Sequence, residues 1–192
     1  MKNVLIINGH PDKESFNHAL SKAYLDGTVN ANAVVITLNI VDLEFNPNLQ
    51  YGYRQRTDLE PDLLKAIEMI KKANHIVWIF PMWWHGLPAL LKGFIDRTFL
   101  PGIAFEPVPR KPFPIKLMKG KSARIIITSD TPRWYNRLVM RSPAINQFKK
   151  GTLAFCGFSP VKVTYIAPIK DSSLEFRKKW LKKVSLLGQG LK

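Results

Sequence analysis

Ile76-Val77-Trp78-Ile79-Phe80-Pro81-Met82-Trp83-Trp84-His85-Gly86-Leu87-Pro88 decides the fold class. Residues 75–80 are apolar on both alternating faces and end at a proline, so they read as a strand buried on two sides. The Gly/Pro punctuation that follows predicts a helix from residue 86 to about 99, with Pro88 near its first position. A buried strand that passes through an aromatic loop into a helix is half of a parallel βαβ unit.

The same unit recurs on either side. Val4-Leu5-Ile6-Ile7 is a second buried run, closed by Gly9 and Pro11. Residues 16–26 form a helix with Phe16, Ala19, Leu20, Ala23 and Tyr24 on one face. Val34-Val35-Ile36-Thr37-Leu38 is a strand, and residues 61–73 are a helix with Asp58 and Glu60 before it and Pro61 in its first turn. Beyond the deciding stretch, residues 123–128 and 161–166 are strands. Residues 137–155 are mostly helical with a breaker at Pro143 and a stop at Gly157, and residues 172–187 are a last helix. Five buried strands with helical connections predict an α/β, flavodoxin-like, doubly wound parallel sheet, order 2-1-3-4-5, with helices on both faces. The 192 residues make one domain, 1–192, and are too few for a TIM barrel.

Composition narrows the class further. Cys156 is the only cysteine, which excludes a disulfide scaffold and cysteine-rich zinc sites. His85 has no second histidine or carboxylate at metal-ligand spacing, so no metal is assigned. The longest apolar run, residues 76–84, is far short of the roughly 20 residues that span a bilayer, and the N-terminus has no signal-peptide pattern. A cytoplasmic protein is expected. Charge is uneven: residues 1–106 carry a net −1, residues 107–192 a net +16. That asymmetry suits anionic ligands, an anionic membrane or a docking partner, or simply a solvated surface. No recognition motif supports nucleic acid.

Ligands of such sheets bind at the carboxyl ends of the strands, where strand order reverses. Three loops meet there. The first, residues 8–17, lacks both the G-x-G-x-x-G and the Walker pattern but places Ser15 and Asn17 at a helix start. That start suits a phosphate, and Ser15 also reads as a plain N-cap. The second offers Trp83, Trp84 and His85 as a wall for a flat ring; alternatively one tryptophan packs under the next helix and His85 is structural. The third, Thr128-Ser129-Asp130-Thr131-Pro132-Arg133-Trp134-Tyr135, is rich in hydroxyls and reads equally as a turn.

Gly9-His10-Pro11 with Ser15-Phe16-Asn17, the block of residues 81–93, and Asp42-Leu43 with Phe45-Asn46-Pro47 resemble the NAD(P)H:quinone oxidoreductase family, short bacterial members included. The resemblance covers residues 1 to about 170. It implies bound FMN, or FAD as second choice, because the short chain leaves less to cover an adenosine. His10, Ser15, Phe16 and Asn17 would hold the phosphate side, Pro81, Met82, Trp83 and Trp84 the isoalloxazine, and Thr128, Ser129 and Asp130 the pyrimidine side. Asp130-Thr131 stands where the family commonly has Gly-Gly, so the catalytic assignment falls on Tyr135, with His85 beside it. The implied activity is ping-pong hydride transfer from NAD(P)H to a quinone-like acceptor, in a homodimer. A second reading, a regulatory flavin subunit docked on a membrane transporter such as a potassium efflux system, uses the basic half as the docking surface. A third lays the last helix, with Arg177, Lys178, Lys179, Lys182 and Lys183 beside Leu174, Trp180, Leu181, Val184 and Leu187, on an anionic membrane, although such a stripe more often packs on the sheet, which is the preferred reading.

Overall fold

A computed structural model describes residues 1–192. The main sheet joins β1 (Lys2–Asn8), β2 (Ala33–Asn39), β3 (His75–Pro81), β6 (Ser122–Thr128) and β7 (Val161–Ile166). Its order is β2-β1-β3-β6-β7, with every neighbouring pair parallel. This is the expected 2-1-3-4-5 arrangement. The shift in numbering comes from an antiparallel ribbon that the sequence did not announce, β4 (Phe105–Glu106) with β5 (Ile115–Lys116).

Strand alternation divides the interior into two cores. Leu5, Ile7, Ile76, Trp78, Phe80, Ile125 and Ile127 point into one, against α2 (Pro61–Lys72) and α3 (Ala89–Thr98). Val4, Ile6, Val77, Ile79 and Ile126 point into the other, against α1 (Phe16–Gly27) and α6 (Leu174–Gln189). The strand at 75–81 is buried at every residue. The edge strand β2 is not: Val34 and Ile36 are each 45% exposed, because a groove beside α2 leaves that face uncovered.

Three helical expectations change. α1 buries Asn17, Leu20, Ser21 and Tyr24, a face rotated towards two polar residues, while Ala19 is exposed. The rotation follows from α6, which crosses α1 so closely that a Cβ on Gly27 would lie 2.0 Å from Ser185 O and one on Gly188 2.1 Å from Tyr24 O. α3 begins at Ala89, since residues 83–86 are consumed by a tight turn and Pro88 becomes the N-cap. The helical stretch breaks at Pro143 as expected, but it begins at Arg133, and the proline opens the helix that follows the break. α4 (Arg133–Leu138) ends, Arg141 and Ser142 adopt left-handed backbone, and α5 (Pro143–Asn146) runs on into wide π-helical turns at Gln147–Ala154. The last helix does not offer an apolar stripe to a membrane: Val184 is buried in the second core, and Phe176, Trp180, Leu181 and Leu187 pack against it. No helix is long and apolar enough to cross a membrane.

His75, at the start of β3, is 4% exposed, its Nδ1 2.8 Å from Ser122 Oγ and its Nε2 without a partner. Burial, with the cations Lys2, Arg124 and Lys162 nearby, pushes its pKa down to about 4. The folded protein therefore refuses a proton that the unfolded chain accepts below its ordinary value of about 6.5. Stability should be intact above that value and fall by up to about 3 kcal/mol as pH drops towards 4. Urea unfolding at a series of pH values should show this slope, and His75→Gln should flatten it. An equal slope in both proteins would place the acid sensitivity elsewhere.

Candidate functional site

The carboxyl ends of β1, β3 and β6 meet at the point where strand order reverses, and the first loop turns there through local side-chain bonds. Asn8 Oδ1 accepts from His10 N at 3.0 Å, His10 Nδ1 from Asp12 N at 3.0 Å, and Asp12 Oδ1 from Glu14 N at 2.9 Å. Ser15 then caps α1, its hydroxyl accepting from His18 N at 3.4 Å. The Phe16 and Asn17 N–H groups make no hydrogen bond within the chain, so the helix start presents free donors at its positive end. Asn17 is 3% exposed. Its Oδ1 accepts from Thr128 Oγ1 at 2.9 Å, and its Nδ2 has no partner. Burial lowers the His10 pKa, and His18 adds to this, against the opposing charge of Asp12.

The second wall starts where Met82 N donates to Thr128 O at 2.7 Å. Trp83 and Gly86 then exchange both backbone bonds, at 3.2 and 2.8 Å, around Trp84 (φ 49°) and His85 (φ 56°). Two successive left-handed residues other than glycine are strained, each by about 1–3 kcal/mol, and such strain gathers at functional sites. The turn lifts the aromatics outward. Trp83 is 45% exposed, with its ring edge-on to His10 at 5.6 Å, and Trp84 is fully exposed. Trp84 therefore does not pack under α3, and Trp83 lines the cleft beside His10.

On the third side, Ser129 Oγ accepts from Thr131 N at 3.0 Å. Asp130 Oδ1 accepts from the N–H groups of Ile169 (3.2 Å) and Lys170 (2.6 Å), fastening the loop after β7 to the site. Of the eleven residues expected to hold a flavin, nine line a single cleft of about 220 Å3: His10, Phe16, Asn17, Pro81, Met82, Trp83, Thr128, Ser129 and Asp130. Ser15 and Trp84 do not, one engaged as the cap and the other on the turn tip. Ile169 and Lys170 also line it and were not foreseen, since nothing in their local sequence marks them. Tyr135 stands outside the cleft on α4, edge-on to Trp134 at 5.7 Å. His85 is also outside, its Nδ1 buried and unpaired.

The sequence matches the Flavodoxin_2 family, described as flavodoxin-like fold, over residues 2–184. The chain belongs to this family. Among relatives of this flavodoxin-like protein, ribosyldihydronicotinamide dehydrogenase [quinone] of Pongo abelii is 27% identical over 182 residues, covering 82% of this chain and 78% of its own. An uncharacterized NAD(P)H oxidoreductase of Haemophilus influenzae is 28% identical over 130 residues, covering 66% and 63%. In structure it resembles Smu.1420 of Streptococcus mutans UA159, with a TM-score of 0.86 at 34% identity over 98% of this chain and 99% of the other.

Proposed function

We propose that the protein is a flavin-dependent NAD(P)H oxidoreductase acting on a quinone-like acceptor, with FMN bound in the cleft and FAD the second choice. The observation that carries this reading is Asn17, a buried amide whose unpaired Nδ2 sits beside two free helix N–H groups at the sheet's reversal point. Together they form a donor set for a phosphate. The names of the Pongo abelii and Haemophilus relatives support the same chemistry.

The chemistry FMN supplies when bound is hydride acceptance from NAD(P)H and, once the nicotinamide has left, two-electron delivery to the acceptor. The chain's own residues position the reactants. Phe16 and Asn17 would hold the phosphate end with His10 beside them. Pro81, Met82 and Trp83 would lie along the ring, and Thr128, Ser129 and Asp130 would close its polar edge. Asp130, by fastening Ile169 and Lys170, keeps the opposite lip in place. Tyr135 and His85 are assigned to the acceptor side. A second copy of the chain would cover Trp84 and Trp134, the latter 62% exposed, and sedimentation of the loaded protein tests this homodimer.

The deciding experiment records the visible spectrum after adding FMN or FAD, then titrates anaerobically with NADPH and NADH. Flavin bands that bleach with a nicotinamide and return on adding a quinone support the proposal. Bound flavin that neither nicotinamide reduces favours the transporter-docked regulatory reading, and absence of flavin binding sinks both. Asn17→Asp replaces the orphan donor with an anion. It should weaken FMN binding about tenfold or more in a fluorescence titration. Equal affinity in the two proteins would remove Asn17 from the site.

A further inference from the structure

Behind the 129–133 segment lies a second cleft, of about 460 Å3, with a different chemistry. Arg133, Arg137, Arg141, Lys149 and Lys150 all line it, and no carboxylate does. Helical spacing and one backbone break gather them. Arg133 and Arg137 are a turn apart on α4, and the left-handed pair Arg141 (φ 56°) and Ser142 (φ 53°) folds the chain back towards the lysines. Ser142 N donates to Asn136 O at 2.7 Å and Asn146 Nδ2 to Arg141 O at 2.6 Å, which fix this turn.

None of the five cations belongs to an ion pair. They share this with every other cation of residues 107–192, whereas Lys22, Lys65, Lys71 and Lys92 in the first half each pair with a carboxylate three or four residues away. Like charges at helical spacing repel, so this cluster is kept against the stability of its own helices. The floor adds a complementary group: Asn136 is 2% exposed, and its Oδ1 is a buried acceptor with no partner. Guanidinium forks suit phosphate oxygens, and a free amide oxygen suits a sugar hydroxyl. A phosphorylated ribose offers both.

The two clefts share one segment. Ser129 and Asp130 line the first and Arg133 the second, and Tyr165, which lines the second, donates from its hydroxyl to Thr131 O at 2.7 Å. We propose that the basic cleft receives the phosphorylated ribose of the nicotinamide donor, through its 2′-phosphate, and makes NADPH the preferred reductant over NADH. This inference rests on the reductase reading above.

The test compares the wild type with Arg141→Ala/Lys149→Ala, and with Lys178→Ala/Lys179→Ala, which removes the same charge from the exposed face of α6. The wild type should show a higher kcat/KM for NADPH than for NADH, and the ratio should fall roughly tenfold in the first double variant but not in the second. Calorimetry with adenosine 2′,5′-bisphosphate gives a readout that needs no turnover. The wild type should bind it, and the cleft variant should bind it about tenfold or more weakly. Equal use of NADPH and NADH, or bisphosphate affinity retained by the cleft variant, overturns the proposal. If neither nicotinamide reduces the protein, the reductase reading fails. The calorimetry still decides the cleft, because bisphosphate affinity lost in the variant supports a phosphorylated-ribose site and affinity retained overturns it.

Discussion

Gly188→Ala is expected to destabilise the protein by about 1–3 kcal/mol, or about 2–9 °C in Tm, even though alanine is the better helix former. On an open helix surface the exchange gains up to about 1 kcal/mol of helix propensity. Here the new Cβ would lie 2.1 Å from Tyr24 O, a backbone atom that no rotamer change can move. The only relief is to part α6 from α1, which opens the second core around Leu20, Tyr24 and Val184. Gly27→Ala should act alike, since its Cβ would meet Ser185 O at 2.0 Å. Gly151→Ala supplies the contrast, because its nearest neighbour, Asn146 O, is 4.0 Å away. That exchange should be neutral or stabilising. A melting series in which all three variants behave alike would show that the crossing of α1 and α6 is not close-packed.

Glu60→Ala is expected to cost about 3 kcal/mol, because it strands a buried charge. Arg97 is 1% exposed on α3, and its guanidinium donates to Asn46 O (2.6 Å), Asp58 O (2.6 Å) and Glu60 Oε2 (2.9 Å). These bonds fasten both ends of the 46–60 connection to one helix. Burial works to raise the Glu60 pKa, but the N–H of Asn46 and the Arg97 charge outweigh it, so the carboxyl sits below its ordinary range. Its contribution is therefore complete at neutral pH and disappears only as acid protonates it below that range. Trypsin offers a local readout beside denaturant melts, since exposed Arg54 and Arg56 lie within the connection. Glu60→Ala should speed cleavage there. Unchanged cleavage and stability would mean that the two carbonyls alone hold the guanidinium.

The strands were readable because burial on both faces leaves an unbroken apolar run, as at 4–7 and 76–80, and the order of elements then fixes a small set of topologies. Residues 34–38 misled for the same reason: β-branched composition reports strand, not whether a helix covers it. Most of the cleft was readable too, because the reversal point is a property of topology and its loops follow three recognisable strands. The remainder depended on contacts distant in sequence. Ile169 and Lys170 reach the site only through Asp130. The outward placement of both tryptophans depends on left-handed backbone at Trp84 and His85, which side-chain identity does not suggest. Nothing in the sequence around Arg97 marks it for burial, which depends on the distant carbonyls of Asn46 and Asp58.

The crossing of α1 and α6 also bears on how the protein is made. Val184 belongs to the same core as Val4, Ile6, Leu20 and Tyr24, and Phe176, Trp180, Leu181 and Leu187 cover them. During vectorial synthesis these early apolar side chains leave the ribosome long before their cover does. The nascent chain can settle one side of its sheet against α2 and α3, while the other side, with α1 alone on it, stays partly open to solvent until α6 arrives. For that interval the growing polypeptide is a natural client for chaperones, and a stall between β7 and α6 would leave it prone to clumping.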